Sequence, residues 1–179
     1  MPHLSLNSAV NIPVGLQELL DSRENRSLRQ KEYLSRHPYA LVSVTVVSPG
    51  AIKDSELTRR IFNLCYQELM TLFQKSTWEI LEQSVLALST GLEGLIATSA
   101  EASEVKQKLI QLEETHTLGR LWDIDVLDKK GRLLSRSEFN YPSRKCFICD
   151  KDASICARNQ THAISDLTAH MEALLKKCL

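Results

Sequence analysis

The chain has 179 residues and equal numbers of basic and acidic side chains, 22 of each. That length suits one domain with a real hydrophobic core, and the cancelled charge leaves no overall basic field to gather nucleic acid. An apolar fraction of 43% is that of a soluble globular protein, and no stretch reads as a signal peptide or a membrane span. The five cysteines, an odd number, point to reduced thiols or metal ligands in a cytosolic protein rather than to a disulfide framework.

Residues 1–179 read as a single domain in which 1–15 form a flexible lead-in ending at Pro13 and Gly15. A helix is expected from Leu16 to Arg36, stopping before His37-Pro38. The alternating, valine-rich ALVSVTVV (40–47) predicts a strand. SPGAIKDS is a loop, with Asp54 or Ser55 as the N-cap of a helix running to Lys75. SVLALST and GLIATS predict short strands around a turn at Gly91–Gly94. A charged helix from Ala102 to Glu114 follows, with Gly119 where a helix exit favours glycine. GRLWDIDVL (119–127) is a strand, DKKG a hairpin turn and RLLSRSEF the returning strand. An amphipathic helix from about Asp166 closes the chain. Strands and helices mix without strict alternation, which predicts an α+β fold: a mostly antiparallel sheet with packed helices.

Three clusters carry candidate chemistry. Alternation puts Asp123 and Asp125 together on one face of their strand, roughly 7 Å apart at the backbone. Like charges there repel, so the pair is either a solvated strand face or a site for Mg²⁺, which prefers oxygen ligands. In the first helix, Leu16, Leu19, Leu20, Tyr33 and Leu34 form an apolar stripe with Arg23 near its centre, Gln30 inside it and Arg26 toward its edge. Arg29 falls nearer the solvent side. An inward arginine needs an anion: a structural carboxylate such as Glu24 or a strand aspartate, or a phosphate that its guanidinium fork would clamp.

The third cluster is RKCFICDKDASICARNQTH (144–162). Cys146, Cys149, Cys156 and His162 give C-x₂-C-x₆-C-x₅-H, a spacing compatible with zinc. The helical look of DASICARN spaces the later ligands awkwardly, so small buried thiols are the expectation and zinc the less favoured reading. Arg144, Lys145, Arg158 and His162 could instead face phosphates. Arg136 shares the aspartate face if the DKKG hairpin has a two-residue turn. A bulge at Gly131 would send Ser135 and Ser137 there.

Five blocks in order, LLDSRENRSLRQ (19–30), SVTVVSPGAIKDS (43–55), GRLWDIDVL, GRLLSR (131–136) and the cysteine segment, resemble the apo-citrate lyase phosphoribosyl-dephospho-CoA transferases. The resemblance covers nearly the whole chain. It implies transfer of 2'-(5''-triphosphoribosyl)-3'-dephospho-CoA to a serine of the acyl-carrier (gamma) subunit of citrate lyase, with loss of pyrophosphate. It implies Mg²⁺ on Asp123 and Asp125, with phosphate contacts from Arg23, Arg26, Gln30 and Lys53. Arg120, Arg136, Arg144, Arg158 and His162 join that expected set. No nucleic acid or membrane partner is expected. The aspartate pair also resembles the nucleotidyltransferase carboxylate motif, but no Gly-Ser loop precedes it, so a nucleotidyltransferase-like fold is only an alternative. Rival functions are another metal-dependent nucleotidyltransferase, a phosphohydrolase, and a zinc-stabilised module that docks on the lyase.

Overall fold

The computed structural model describes residues 8–178. Its elements are α1 (Leu16–Arg36), β1 (Ala40–Val46), α2 (Glu56–Lys75), β2 (Ile80–Leu88), β3 (Gly91–Thr98), α3 (Ala102–Thr115), β4 (Trp122–Leu127), α4 (Ala153–Arg158) and α5 (Ile164–Lys176). Short 3₁₀ turns at Gly119–Leu121 and Arg136–Phe139 complete the list. The strands form one antiparallel sheet in the order β2-β3-β1-β4. This is the expected α+β arrangement.

Strand alternation gives the sheet two unlike faces. Val42, Val44, Ile96, Trp122, Ile124 and Val126 are completely buried on one of them. There they pack with Ile61, Phe62, Cys65, Leu69 and Phe73 of α2, Val105 and Leu109 of α3, and Met171 and Leu175 of α5. Fully burying side chains of this size stabilises the fold by about 1.5–3 kcal/mol each. The other face lies under α1. Its apolar part is a smaller cluster in which Tyr33 and Leu34 cover Leu41, Leu95, Ala97 and Leu127.

Ser55 caps α2, and a reciprocal capping box joins it to Thr58. Asp54 has another task. It accepts hydrogen bonds from the buried Arg59, at 2.6 Å from Nε, and from the backbone of Val10 at 2.9 Å. Asn11 and Val14 also donate backbone hydrogen bonds, to the carbonyls of Asp54 and Ala51. Residues 10–14 of the expected lead-in are thus laced to the loop before α2. Residues 1–7 lie outside the described residues.

Two expectations need correction. The β2–β3 turn sits at Ser89-Thr90, and β3 begins at Gly91, so Gly94 lies inside a strand. A Cβ on Gly94 would come within 3.2 Å of the Phe62 ring, and close packing explains the glycine there. After the DKKG turn, where Gly131 takes φ +77°, the chain makes one bridge, Leu127 to Leu133. It then leaves the sheet. Ser135 and Glu138 form a capping box that starts the 3₁₀ turn at Arg136. S-x-x-E is the sequence signature of a helical start, and it outweighs the return strand.

Candidate active site

Asp123 and Asp125 project from β4 on the α1 side of the sheet, opposite Thr45 and Ser43 of β1. Glu93 of β3 lies further along the same face and is 1% exposed. The face under this end of α1 is polar, and α1 meets it with polar residues. Ser22 hydrogen-bonds Thr90, Arg26 and Arg29 both pair with Glu93 (2.7 and 2.8 Å), and the Tyr33 hydroxyl reaches Ser84.

Tyr33 and Leu34 of the expected stripe are buried, but its N-terminal half is not. Arg23 is exposed, as are Leu16 and Leu20, while Arg29 faces inward. The apolar-stripe rule assumes an apolar partner surface, and here Glu93 supplies the opposite. Glu93 escaped notice because its segment reads as a turn. Gln30 is half-buried beside Arg29.

β4 is an edge strand, and its outward carbonyls are satisfied without another strand. Trp122 O accepts from Arg144 Nη1 at 2.9 Å, Ile124 O from Lys106 Nζ at 3.3 Å, and Val126 O from the Leu134 backbone N–H at 2.9 Å. Two of these three donors are cations. Sealing the edge therefore places positive charge beside the two aspartates. Lys106 was missed because it reads as one more charge on an ordinary helix.

Arg144 also donates to Asp123 Oδ1 at 3.3 Å and pairs with Glu113 Oε1. Arg136 pairs with Glu113 Oε2 at 2.8 Å and with Glu114. Arg136 therefore belongs to neither expected arrangement; it reaches the aspartates through Glu113 and Arg144. Gly119 allows α3 to approach this closely. A Cβ at position 119 would fall 2.6 Å from the carbonyl carbon of Glu113 and 2.8 Å from its Cα. Close approach, not a left-handed backbone, requires glycine there.

The electrostatics follow from this crowding. Burial and the neighbouring Asp123 charge raise the pKa of Asp125, against the pull of Lys106, Arg144 and Arg26. Burial pushes Glu113 up to about 7, opposed by Arg144, Lys106 and Arg136. Burial lowers Lys106. Lys53 is lowered by burial and by the nearby Arg23 charge, and its Nζ donates to Ser48 O at 2.6 Å. Lys53 and Thr45 border the same small cavity, and the Thr45 hydroxyl reaches toward Asp123 at 3.4 Å.

Two groups of side chains have the donor chemistry to hold a metal. Asp123 and Asp125 offer hard carboxylate oxygens at a point where their mutual repulsion goes only partly relieved, which suits a divalent cation such as Mg²⁺. Cys146, Cys149, Cys156 and His162 offer three sulfurs and a nitrogen, all within 4.8 Å of one another. The short α4 does not space the later two apart, contrary to expectation. It turns Cys156 inward, and the loop after it carries His162 back.

His162 thus sits among thiols, not among the arginines. Arg158 is exposed at the end of α4, and Arg120 donates to Cys146 O at 3.1 Å. These three residues are not brought to the aspartates. A cavity of about 840 Å³ opens alongside, lined by Val47, Pro49, Arg120, Cys146, Phe147, His162 and Leu167 among others. Neither aspartate lines it.

A model of the family described as apo-citrate lyase phosphoribosyl-dephospho-CoA transferase matches residues 14–178. Proteins of that name from Shigella boydii serotype 18 (strain CDC 3083-94 / BS512) and Escherichia coli O157:H7 (strain EC4115 / EHEC) are 49% identical over 175 residues. The aligned region covers 98% of this chain and 93% of each relative. The protein of that name from Shigella sonnei (strain Ss046) matches to the same extent.

Proposed function

Because the chain belongs to the apo-citrate lyase phosphoribosyl-dephospho-CoA transferase family, we propose that it loads the apo acyl-carrier (gamma) subunit of citrate lyase. The donor is 2'-(5''-triphosphoribosyl)-3'-dephospho-CoA. The seryl oxygen of the carrier forms a bond to the phosphorus next to the ribose. The bond from that phosphorus to the outer two phosphates breaks, and pyrophosphate leaves with its negative charge.

The observation that carries this reading is the half-buried Asp123–Asp125 pair ringed by Arg26, Lys106 and Arg144. Asp123 and Asp125 would hold Mg²⁺, which supplies neutralising charge to the triphosphate when bound. Arg144, fixed by Trp122 O, Asp123 and Glu113, is held rigid enough to meet charge that develops on transferring oxygens. Arg23 and Lys53 form a second cationic pair for the departing phosphates, with Arg26 and Gln30 along the same helix. One carboxylate of the aspartate pair takes the seryl proton. The large cavity matches the volume of a typical small-molecule site, and its mostly apolar lining suits the long pantetheine arm of the donor. The free cysteines suit a reducing cytoplasm.

A product assay tests the reading. With apo carrier protein and Mg²⁺, one pyrophosphate should appear per carrier modified, and none without carrier. Orthophosphate release without carrier would instead mark a phosphohydrolase.

A further inference from the structure

We propose that Cys146, Cys149, Cys156 and His162 bind one structural zinc ion, which fixes the segment that carries Arg144 to the edge of β4. The geometry is that of a closed tetrahedral site. Cys149 Sγ lies 3.5 Å from Cys156 Sγ and 3.3 Å from His162 Nε2. With Zn–S bonds of about 2.3 Å and Zn–N bonds of about 2.0 Å, a tetrahedron has edges of about 3.8 Å between sulfurs and about 3.5 Å from sulfur to nitrogen. Small adjustments bring all four donor atoms onto one ion.

The backbone holds the ligand turn in place. The Ile148 N–H donates to Cys146 Sγ at 3.5 Å, which orients that sulfur toward the other three donors. The turn holding Cys146 and Cys149 is clamped at its base, where Cys146 N–H donates to Lys151 O and Ala153 N–H to Arg144 O, each at 2.8 Å. On binding, each thiol gives up its proton and the neutral imidazole coordinates through Nε2. Three thiolates with one imidazole select zinc over magnesium or calcium. Four protein ligands leave no open position, which makes the site structural.

The segment also needs such a clamp. Between Leu134 and Met171, Cys146 and Cys156 are the only buried residues among those described. With only Phe139 and Phe147 packing from it onto the main core, a stretch this long gains from a metal or disulfide staple. A staple here holds Arg144, two residues before Cys146, against Trp122 O, and holds the Cys146 carbonyl against Arg120. Arg120 and Cys146 also line the large cavity.

Metal content tests the site independently of the reaction. The full-length protein, purified under reducing conditions without chelator, should contain one zinc per chain. Cobalt(II) replacing that zinc should give the visible bands of a tetrahedral thiolate site. Cys149→Ser and His162→Ala should each lower retained zinc at least tenfold. Should they fail to fold, the wild-type stoichiometry and cobalt spectrum decide alone. Stripping the zinc should raise amide exchange across 144–162 while leaving β1 and β3 protected. Wild-type protein that carries no zinc and takes none up from zinc chloride would overturn the site, whether its thiols are free or Cys149 and Cys156 are joined. Unchanged exchange in 144–162 after metal removal would overturn the positioning role.

Discussion

Arg29 and Arg23 show how single residues divide structural work from substrate work on one helix. Glu93 is buried, and Arg26 and Arg29 neutralise it from α1. Removing both arginines strands a carboxylate in the interior, which typically costs about 3–5 kcal/mol. The Arg26→Ala/Arg29→Ala double variant should therefore melt well below the wild type, and Glu93→Gln should restore part of the loss. Arg23 is exposed, so Arg23→Ala should change stability by no more than about 0.5 kcal/mol. It should nevertheless weaken donor binding by about 1.5–3 kcal/mol, the worth of a charge-assisted contact. Melting curves and donor titration on both variants check this division. A large stability loss at Arg23 with unchanged donor affinity would contradict it. The aspartates follow different logic. Because burial and like charge already disfavour ionised Asp125, Asp→Asn changes there should not unfold the protein.

At the scale of elements, the salt bridge between Asp54 and Arg59 joins the 10–14 segment to the start of α2. Its carboxylate is held below the usual range, chiefly by the Arg59 guanidinium and then by the Val10 N–H, against the cost of burial. A lowered folded-state pKa means that this stabilisation is complete above the unfolded value near 4. It is lost as pH falls through the depressed value. Chemical denaturation from pH 6 down to pH 2 should therefore show wild-type stability dropping more steeply than that of Asp54→Asn, and the two curves converging in acid. Parallel curves would remove Asp54 from the account. Helices α2 and α3 were legible in the sequence because their burial follows the helical period, and β1 because its valine-rich run suits a strand, here buried on both faces. What failed were places where a residue answers a distant partner. The α1 phase was set by Glu93, and Gly94 is required by Phe62. The return strand was lost to a local Ser135–Glu138 capping box whose signature was present in SRSE. The aspartate pair was legible from strand alternation alone. Its surrounding cations were not, because Lys106 and Arg144 are brought in by the open carbonyls of an edge strand.

Across the whole molecule, one sheet serves two purposes. Its apolar face, packed on α2, α3 and α5, supplies the stability. Its other face and its β4 edge gather carboxylates and cations into one polar cluster. In the proposed reaction this arrangement loads a carrier protein. Intact-mass analysis of the apo acyl-carrier subunit tests it most directly, after incubation with the enzyme, 2'-(5''-triphosphoribosyl)-3'-dephospho-CoA and Mg²⁺. Wild-type protein should shift the carrier by one phosphoribosyl-dephospho-CoA group, while the equally stable Asp123→Asn and Asp125→Asn variants leave it almost unmodified. A carrier of unchanged mass with folded wild-type enzyme would contradict the assigned reaction, and full modification by both variants would contradict the assigned site.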